Sequence, residues 1–392
     1  MRSNLEGALA TKPSLDRCQS CRAWLPCPEA TEAWLSDAAQ DDRWDAFLAS
    51  TPLGQYQQSA TWGQVKVPEG WRVARVVFSR DDRIEGGFQA LWRTIGFVRF
   101  GYVSKGPVFR DEASALARQA AVFVEAVARR LRIRMLMLQA PDQSRGIAPL
   151  FTGSSFCEND LVGVITANLV VGLTGGPEVI TGRMSRQTRQ KIRQANARGI
   201  TIREGDERDL PSFLALLLAT CRRQAQAKPY PATLNQLRHL WACLASRHCI
   251  RLSFAVHDAQ PVSGLLSIVF GSRLTFWKKG WSGEHAEKHP NALLFHEALL
   301  WGHQRGYTAA DFAGLDRGIA ETLLQEQPLS ESQKRSRDFA HLGFGGEPVL
   351  LPKPRLWVAN RLWWVACRAL SACARARRHG RRLAARASAR RT

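Results

Sequence analysis

IRLSFAVHDAQPVSGLLSIVFGSRLTFWKKGW, residues 250–281, is where the fold of this chain can be read. Its β-branched and aromatic residues come in three runs, 250–256, 262–270 and 274–281, the first two flanking a polar turn at 257–260. Runs of this length divided by turn residues predict successive strands. Downstream, 292–304 predicts a helix closed by Gly306, and 309–312 another strand. Upstream, 210–227 and 234–245 predict helices, the first with Phe213, Leu217 and Cys221 four apart on one face. A similar order stands earlier in the chain: a helix at 44–49, strands at 71–78, 86–92 and 97–103, a helix over 112–130 and a buried strand at 132–138. Ala115, Ala120, Phe123, Val124 and Val127 give that longer helix its apolar spacing. Two passes through one plan, without clear identity between them, predict an α/β body of tandem domains.

The chain has 392 residues, 45% hydrophobic and 23% charged, a balance that excludes a disulfide-stapled mini-protein and predicts folded domains rather than disorder. Its net charge of +21 points to an anionic partner: nucleic acid, a phosphorylated substrate or a membrane surface. From Lys353 to Thr392 there are twelve Lys or Arg and no acid, so the tail holds +12 and the rest +9. Nine scattered cysteines suit a reducing compartment, and no signal-peptide or membrane-spanning pattern occurs, so a cytoplasmic protein is expected. Cys18 and Cys21 form one Cys-x-x-Cys with Cys27 nearby, but no fourth ligand or second pair is evident, and no metal is expected. No Walker-type loop or Gly-x-Ser-x-Gly occurs.

Between the two passes lies 185–198, a predicted helix carrying Arg186, Arg189, Lys191, Arg193 and Arg198 with no acid. Positions 186, 189 and 193 share a face, where like charges repel, so the helix reads either as a phosphate-binding surface or as a solvated linker. Arg361, Arg368, Arg375 and Arg382 recur every seven residues beside Leu356, Trp357, Trp363, Trp364 and Leu370. That pattern predicts a basic amphipathic helix on an anionic membrane, with a tRNA contact or a helix packed on the body as alternatives.

Two further clusters acquire meaning together. Gln57-Gln58-Ser59-Ala60-Thr61-Trp62-Gly63-Gln64-Val65-Lys66 resembles the early signature of the FemAB-like aminoacyltransferases, and Tyr102-Val103-Ser104-Lys105-Gly106-Pro107-Val108 resembles their next one. The basic helix, Asn291-Ala292-Leu293-Leu294, Asp311-Phe312-Ala313-Gly314 and Phe344-Gly345-Gly346 follow in the family's order, so the resemblance covers about residues 50–350. It implies tandem GNAT-like domains, a first at 43–180 and a second at 200–350 joined by a basic connecting helix at 181–199; composition adds a low-structure leader at 1–42 and a basic amphipathic helical tail at 351–392.

The resemblance also implies a function: acyl or aminoacyl transfer onto an amine of a phosphate-bearing cell-envelope precursor, of peptidoglycan or polysaccharide type. Lys66 falls where the family meets the precursor's phosphates, Arg189 or Arg193 supplies a second charge, and Tyr102, Lys105, Arg186 and Asp311 join the expected binding set, while Lys278 and Lys279, between Trp277 and Trp281, suit a polyanionic donor. The family commonly has a lysine three residues before Phe-Gly-Gly, where an ammonium stabilises the tetrahedral oxyanion. This chain has His341 there, a catalytic residue if the imidazole takes over and a structural one otherwise.

Gln143-Ser144-Arg145-Gly146-Ile147-Ala148 fits the letters of a CoA pyrophosphate loop but is read as a chance match, and 283–290 lacks the pattern. No resident cofactor is therefore expected, and aminoacyl-tRNA is the expected donor. A GNAT N-acyltransferase using acyl-CoA or acyl-carrier protein, and a non-catalytic module binding nucleic acid or membrane, are the alternatives. The tail, through residues 355–391, would hold the protein at the periphery of the inner membrane.

Overall fold

The computed structural model describes residues 18–20, 24–28, 31–152, 155–158, 164–224, 229–360 and 365. The chain forms two compact units, 1–163 with 353–392, and 164–352. Each contains the same run: three antiparallel strands, a helix, and a fourth strand parallel to the third.

In the first unit these are Arg72–Arg80, Arg83–Ile95, Val98–Ser104, the helix Ala120–Arg130 and Met135–Gln139. A parallel neighbour requires a crossover connection, and the helix supplies it while burying Phe123, Val124 and Val127 on the sheet. Phe123 packs against Phe78 in this core, ring centroids 4.6 Å apart and planes tilted by 38°.

In the second unit the run is Ile250–His257, Gln260–Phe270, Arg273–Trp281, the helix Pro290–Gln304 and Ala309–Asp311. Two strands flanking the basic helix in sequence extend this sheet, Ala167–Gly172 against Ala309–Asp311 and Thr201–Gly205 against Ile250–His257. Phe276, Phe295, Phe312 and Phe344 pack ring against ring in the core, with centroids 4.9–5.5 Å apart.

Several expectations need correction. The units divide at residue 163, not 180, and the helix Arg186–Ala197 belongs to the second unit, because Thr188, Ile192 and Ala195 bury one face in it. The leader is not structureless: Glu32–Ser36 pairs antiparallel with Arg72–Arg80. The tail does not begin as a helix, since Arg355–Val358 is a strand seated between Met135–Gln139 and Phe156–Glu158. Trp357 is buried there, so it and Leu356 are core residues rather than a membrane-facing stripe. Arg361, Arg368, Arg375 and Arg382 lie outside the described residues, as does Cys21. Among the described residues no group of His, Cys, Asp or Glu could hold a metal, and no helix is long and apolar enough to cross a membrane.

Candidate functional site

The second unit encloses a cavity of about 580 Å³. Its floor is the strand Arg273–Trp281, where the pairing slips between Leu266 and Ser267: Leu266 faces Lys278, but Ser267 faces Phe276. Trp277 is therefore the extra residue of a β-bulge, and bulges re-aim the side chains around them. Trp277, Lys278 and Lys279 all line the cavity, which strict alternation would forbid. The helices Leu210–Arg223 and Pro290–Gln304, the basic helix and the segment 337–344 supply the remaining walls.

The last two walls are tied together. Ser185 caps the basic helix by accepting from the Thr188 amide at 3.1 Å, while its own amide donates to the Gly343 carbonyl at 2.9 Å. The following Phe344-Gly345-Gly346 has a steric reason: Gly345 has φ +75°, and a Cβ there would run into the Arg183 carbonyl. Thr188 and Lys191 thus reach the cavity. The arginines read as a phosphate face do not line it: Arg186 and Arg193 are exposed on the opposite side, and Arg189 folds back onto the Gly182 and Met184 carbonyls at 3.0 and 2.8 Å.

Electrostatics set the cavity's character. Lys191, Arg223, Lys278, Lys279 and Arg337 line it, and among the described residues Asp338 is the only carboxylate that does. That carboxylate is committed, accepting from the Asp316 amide at 2.8 Å and from Arg337 Nε at 3.2 Å. Arg223 lies over Trp281 at 4.4 Å and Lys278 over Trp277 at 5.3 Å, so cations and flat apolar rings alternate around the wall. Such a lining suits a ligand that has both phosphate and a planar base.

Lys279 and His341 both pack on Phe295, at 5.7 Å (ammonium to ring centroid) and 5.4 Å (ring to ring). Burial, with repulsion from Arg223 and Arg337, lowers the Lys279 ammonium to about 8. Burial again, with the Lys279 charge beside it, lowers His341 to about 4, so the imidazole is neutral at pH 7. His341 Nδ1 is buried with no hydrogen-bond partner among the described residues. Lys279, on the strand Arg273–Trp281, thus places a positive charge beside His341. The sequence marks Lys279 as a donor contact beside Lys278, but nothing in the linear pattern signals its place beside His341, because the bulge that turns it into the cavity leaves no mark in the spacing of apolar residues.

The remaining candidates occupy different surroundings. Most of the first signature is scaffold: Gln58 is fully buried and bridges to the Ser104 carbonyl at 2.6 Å and the Gln89 amide at 2.7 Å, while Ser59 caps the helix Ala60–Lys66. Lys66 ends that helix, pairs with Glu69 at 2.8 Å and lies 5.1 Å over Trp62; desolvation lowers its pKa although Glu69 opposes the shift. Burial, reinforced by the Glu69 charge, raises the Tyr102 phenol, which meets Trp71 edge-on at 4.8 Å, with Arg93 over Trp71 at 4.5 Å. Lys66, Glu69, Tyr102, Trp71 and Arg93 therefore form one polar aromatic cluster in the first unit.

Two residues expected to bind substrate have structural partners. Lys105 is buried against Asp142, and Asp311 is buried, accepting from Asn168 Nδ2 at 2.7 Å and the Ala313 amide at 2.8 Å. The loop with CoA-like letters is filled from within, because Glu112 accepts from the amides of Arg145, Gly146 and Ile147 at 3.2–3.3 Å.

Comparison with known proteins bears on the whole architecture. Residues 182–320 match the Acetyltransferase (GNAT) domain. The lipid II:glycine glycyltransferase of Staphylococcus aureus is 25% identical over 191 residues, covering 46% of this chain and 45% of that protein. The chain thus spans about half the length of the curated relatives it matches. FemX superposes with a TM-score of 0.67 at 16% identity, over 81% of this chain and 96% of that one. A tandem GNAT protein from the clavulanic acid biosynthesis pathway superposes with a TM-score of 0.50 at 14% identity, over 84% and 99% respectively. These likenesses agree with the ordered motifs and the repeated strand–helix plan: the chain has the tandem GNAT fold and is similar to the FemAB-like proteins.

Proposed function

We propose that this protein transfers an aminoacyl group from aminoacyl-tRNA to an amine of a phosphate-bearing cell-envelope precursor, forming an amide. The observation that carries the reading is the second-unit cavity, whose five cations and aromatic walls surround one already committed carboxylate. An aminoacyl-adenosine end presents the matching parts: a base to stack, phosphates to neutralise, and an ester carbonyl to react. In the reaction the acceptor nitrogen attacks that carbonyl, the bond to the ribose oxygen breaks, and the proton lost by nitrogen ends on the departing hydroxyl. Charge builds on the carbonyl oxygen in between, and the Lys279 ammonium stabilises it. Neutral His341 shapes the pocket beside Lys279 rather than supplying charge. Lys66, Tyr102 and Arg93 in the first unit provide the surface for the precursor's phosphates and sugar.

The glycyltransferase relative acts, by its name, on lipid II, which supports a lipid-linked peptidoglycan precursor as acceptor. A second reading, N-acylation from acyl-CoA, is favoured by the acetyltransferase domain match at 182–320. Purified protein incubated with a labelled donor and membrane extract, the product identified by mass, separates the two. We expect label to move from aminoacyl-tRNA. Movement from acyl-CoA alone selects the second reading, and movement from neither leaves a binding module. Lys279→Met should lower turnover about 10²–10³-fold, the usual effect of removing one oxyanion donor, while donor binding persists. Unchanged turnover would remove Lys279 from the mechanism.

A further inference from the structure

The first unit exposes a feature that acyl transfer does not use. Strands Arg83–Ile95 and Val98–Ser104 join through a tight turn, with Ile95 opposite Val98, and Gly96 at φ +59° makes the reversal. Phe97 at the tip is 94% exposed and Ile95 is 52% exposed. Single apolar residues on a surface need no explanation, but two flanking one glycine at a protruding turn form a wedge.

The surroundings of the wedge are cationic. Arg99 Nη1 donates to the Leu131 carbonyl at 2.7 Å and the Arg134 amide to the Arg99 carbonyl at 2.9 Å, so segment 131–134 lies beside the base of the hairpin. Arg130, Arg132 and Arg134 are exposed there. Arg99 and Arg72 lie over the Trp92 ring at 4.8 and 5.1 Å. Neither 93–110 nor 126–141 contains an Asp or Glu.

We infer that this hairpin is an interfacial anchor, with Phe97 and Ile95 entering the headgroup region of an anionic lipid bilayer and the arginines meeting its phosphates. An apolar tip within a cationic collar is complementary to such a surface: the tip gains an apolar phase, and the collar neutralises charge at its boundary. A nucleic acid would use the collar but leave Ile95 without a partner. The inference stands apart from the proposed chemistry, since it concerns where the protein sits and not what it transfers.

The test uses the full chain, because the tail could bind the same vesicles. Co-sedimentation with phosphatidylcholine vesicles, with and without phosphatidylglycerol, is compared between wild type, Ile95→Ser/Phe97→Ser and Arg130→Gln/Arg134→Gln. We expect preference for the anionic vesicles, about a tenfold loss of partitioning in the apolar double variant from the lost side-chain transfer, and a weaker salt dependence in the arginine variant. Hydrogen exchange on the wild type should show the amides at 94–98 slowing when anionic vesicles are added. Unchanged sedimentation of the apolar variant, or no slowing at 94–98, overturns the inference. Slowing produced by RNA but not by vesicles overturns it in favour of a nucleic-acid contact.

Discussion

Lys279 is costly to keep charged, and the cost has a pH signature. Its ammonium is lowered to about 8 by burial and by Arg223 and Arg337, whereas a lysine in the unfolded chain titrates at about 10.4. Between those values the unfolded chain still holds a proton that the folded chain has released, so stability rises with pH across the window, and the penalty is complete below it. We expect Lys279→Met to melt higher than wild type at pH 7, with the gap closing by about pH 10.5. A gap that stays constant with pH would show that packing, not charge, separates the two proteins. His341 gives the acid-side counterpart. It is lowered to about 4 against about 6.5 unfolded, so wild type loses stability as pH falls through that interval, because the unfolded chain takes up the proton first. His341→Gln should flatten this loss, read as urea midpoints at pH 7 and pH 5.

The strand Arg273–Trp281 is the element on which the site depends, and Gly280 lets it approach its helix. A Cβ at Gly280 would stand 2.6 Å from the Leu217 amide nitrogen and 2.7 Å from the Leu216 carbonyl carbon, backbone atoms that can yield only if the helix Leu210–Arg223 shifts. Gly280→Ala should cost about 1–3 kcal/mol, the usual range for overpacking, seen as a lower urea midpoint. Gly182→Ala is the control, with nothing within 4 Å of the new Cβ, and should leave the midpoint unchanged. At this scale the sequence was readable where the rule is periodic. The strands of 250–281 and the helix Leu234–Ala245 follow from apolar runs between polar turns. Bulges and short buried faces on highly charged helices escape that reading: Thr188, Ile192 and Ala195 fix the orientation of the basic helix, while its arginines draw the eye to the side that faces away. Asp311 and Lys105 illustrate another limit, since a short motif cannot tell a charge that meets substrate from one that meets Asn168 or Asp142.

For the molecule as a whole, the order of elements repeated, and so the tandem plan was legible, but the partition of the chain was not. Local pattern places no constraint on where a distant four-residue strand docks, and Arg355–Val358, which follows the second unit in sequence, pairs in the first unit's sheet. The two units should therefore behave differently when separated. Residues 164–352 are one continuous segment with its own sheet and aromatic core, and this fragment should unfold in a single cooperative transition. Residues 1–163 lack the strand between Met135–Gln139 and Phe156–Glu158, which leaves an open sheet edge and a void where Trp357 was buried. Losing a buried tryptophan costs about 3–5 kcal/mol in comparable cores, a large share of the roughly 5–15 kcal/mol that holds a domain together. Fragment 1–163 should aggregate or bind a hydrophobic dye, and appending 353–360 through a flexible linker should restore a cooperative melt. The same fragment with Trp357→Ala in the appended segment should recover less. If 1–163 alone melts as sharply as the extended fragment, the returning strand is not part of the first unit's core.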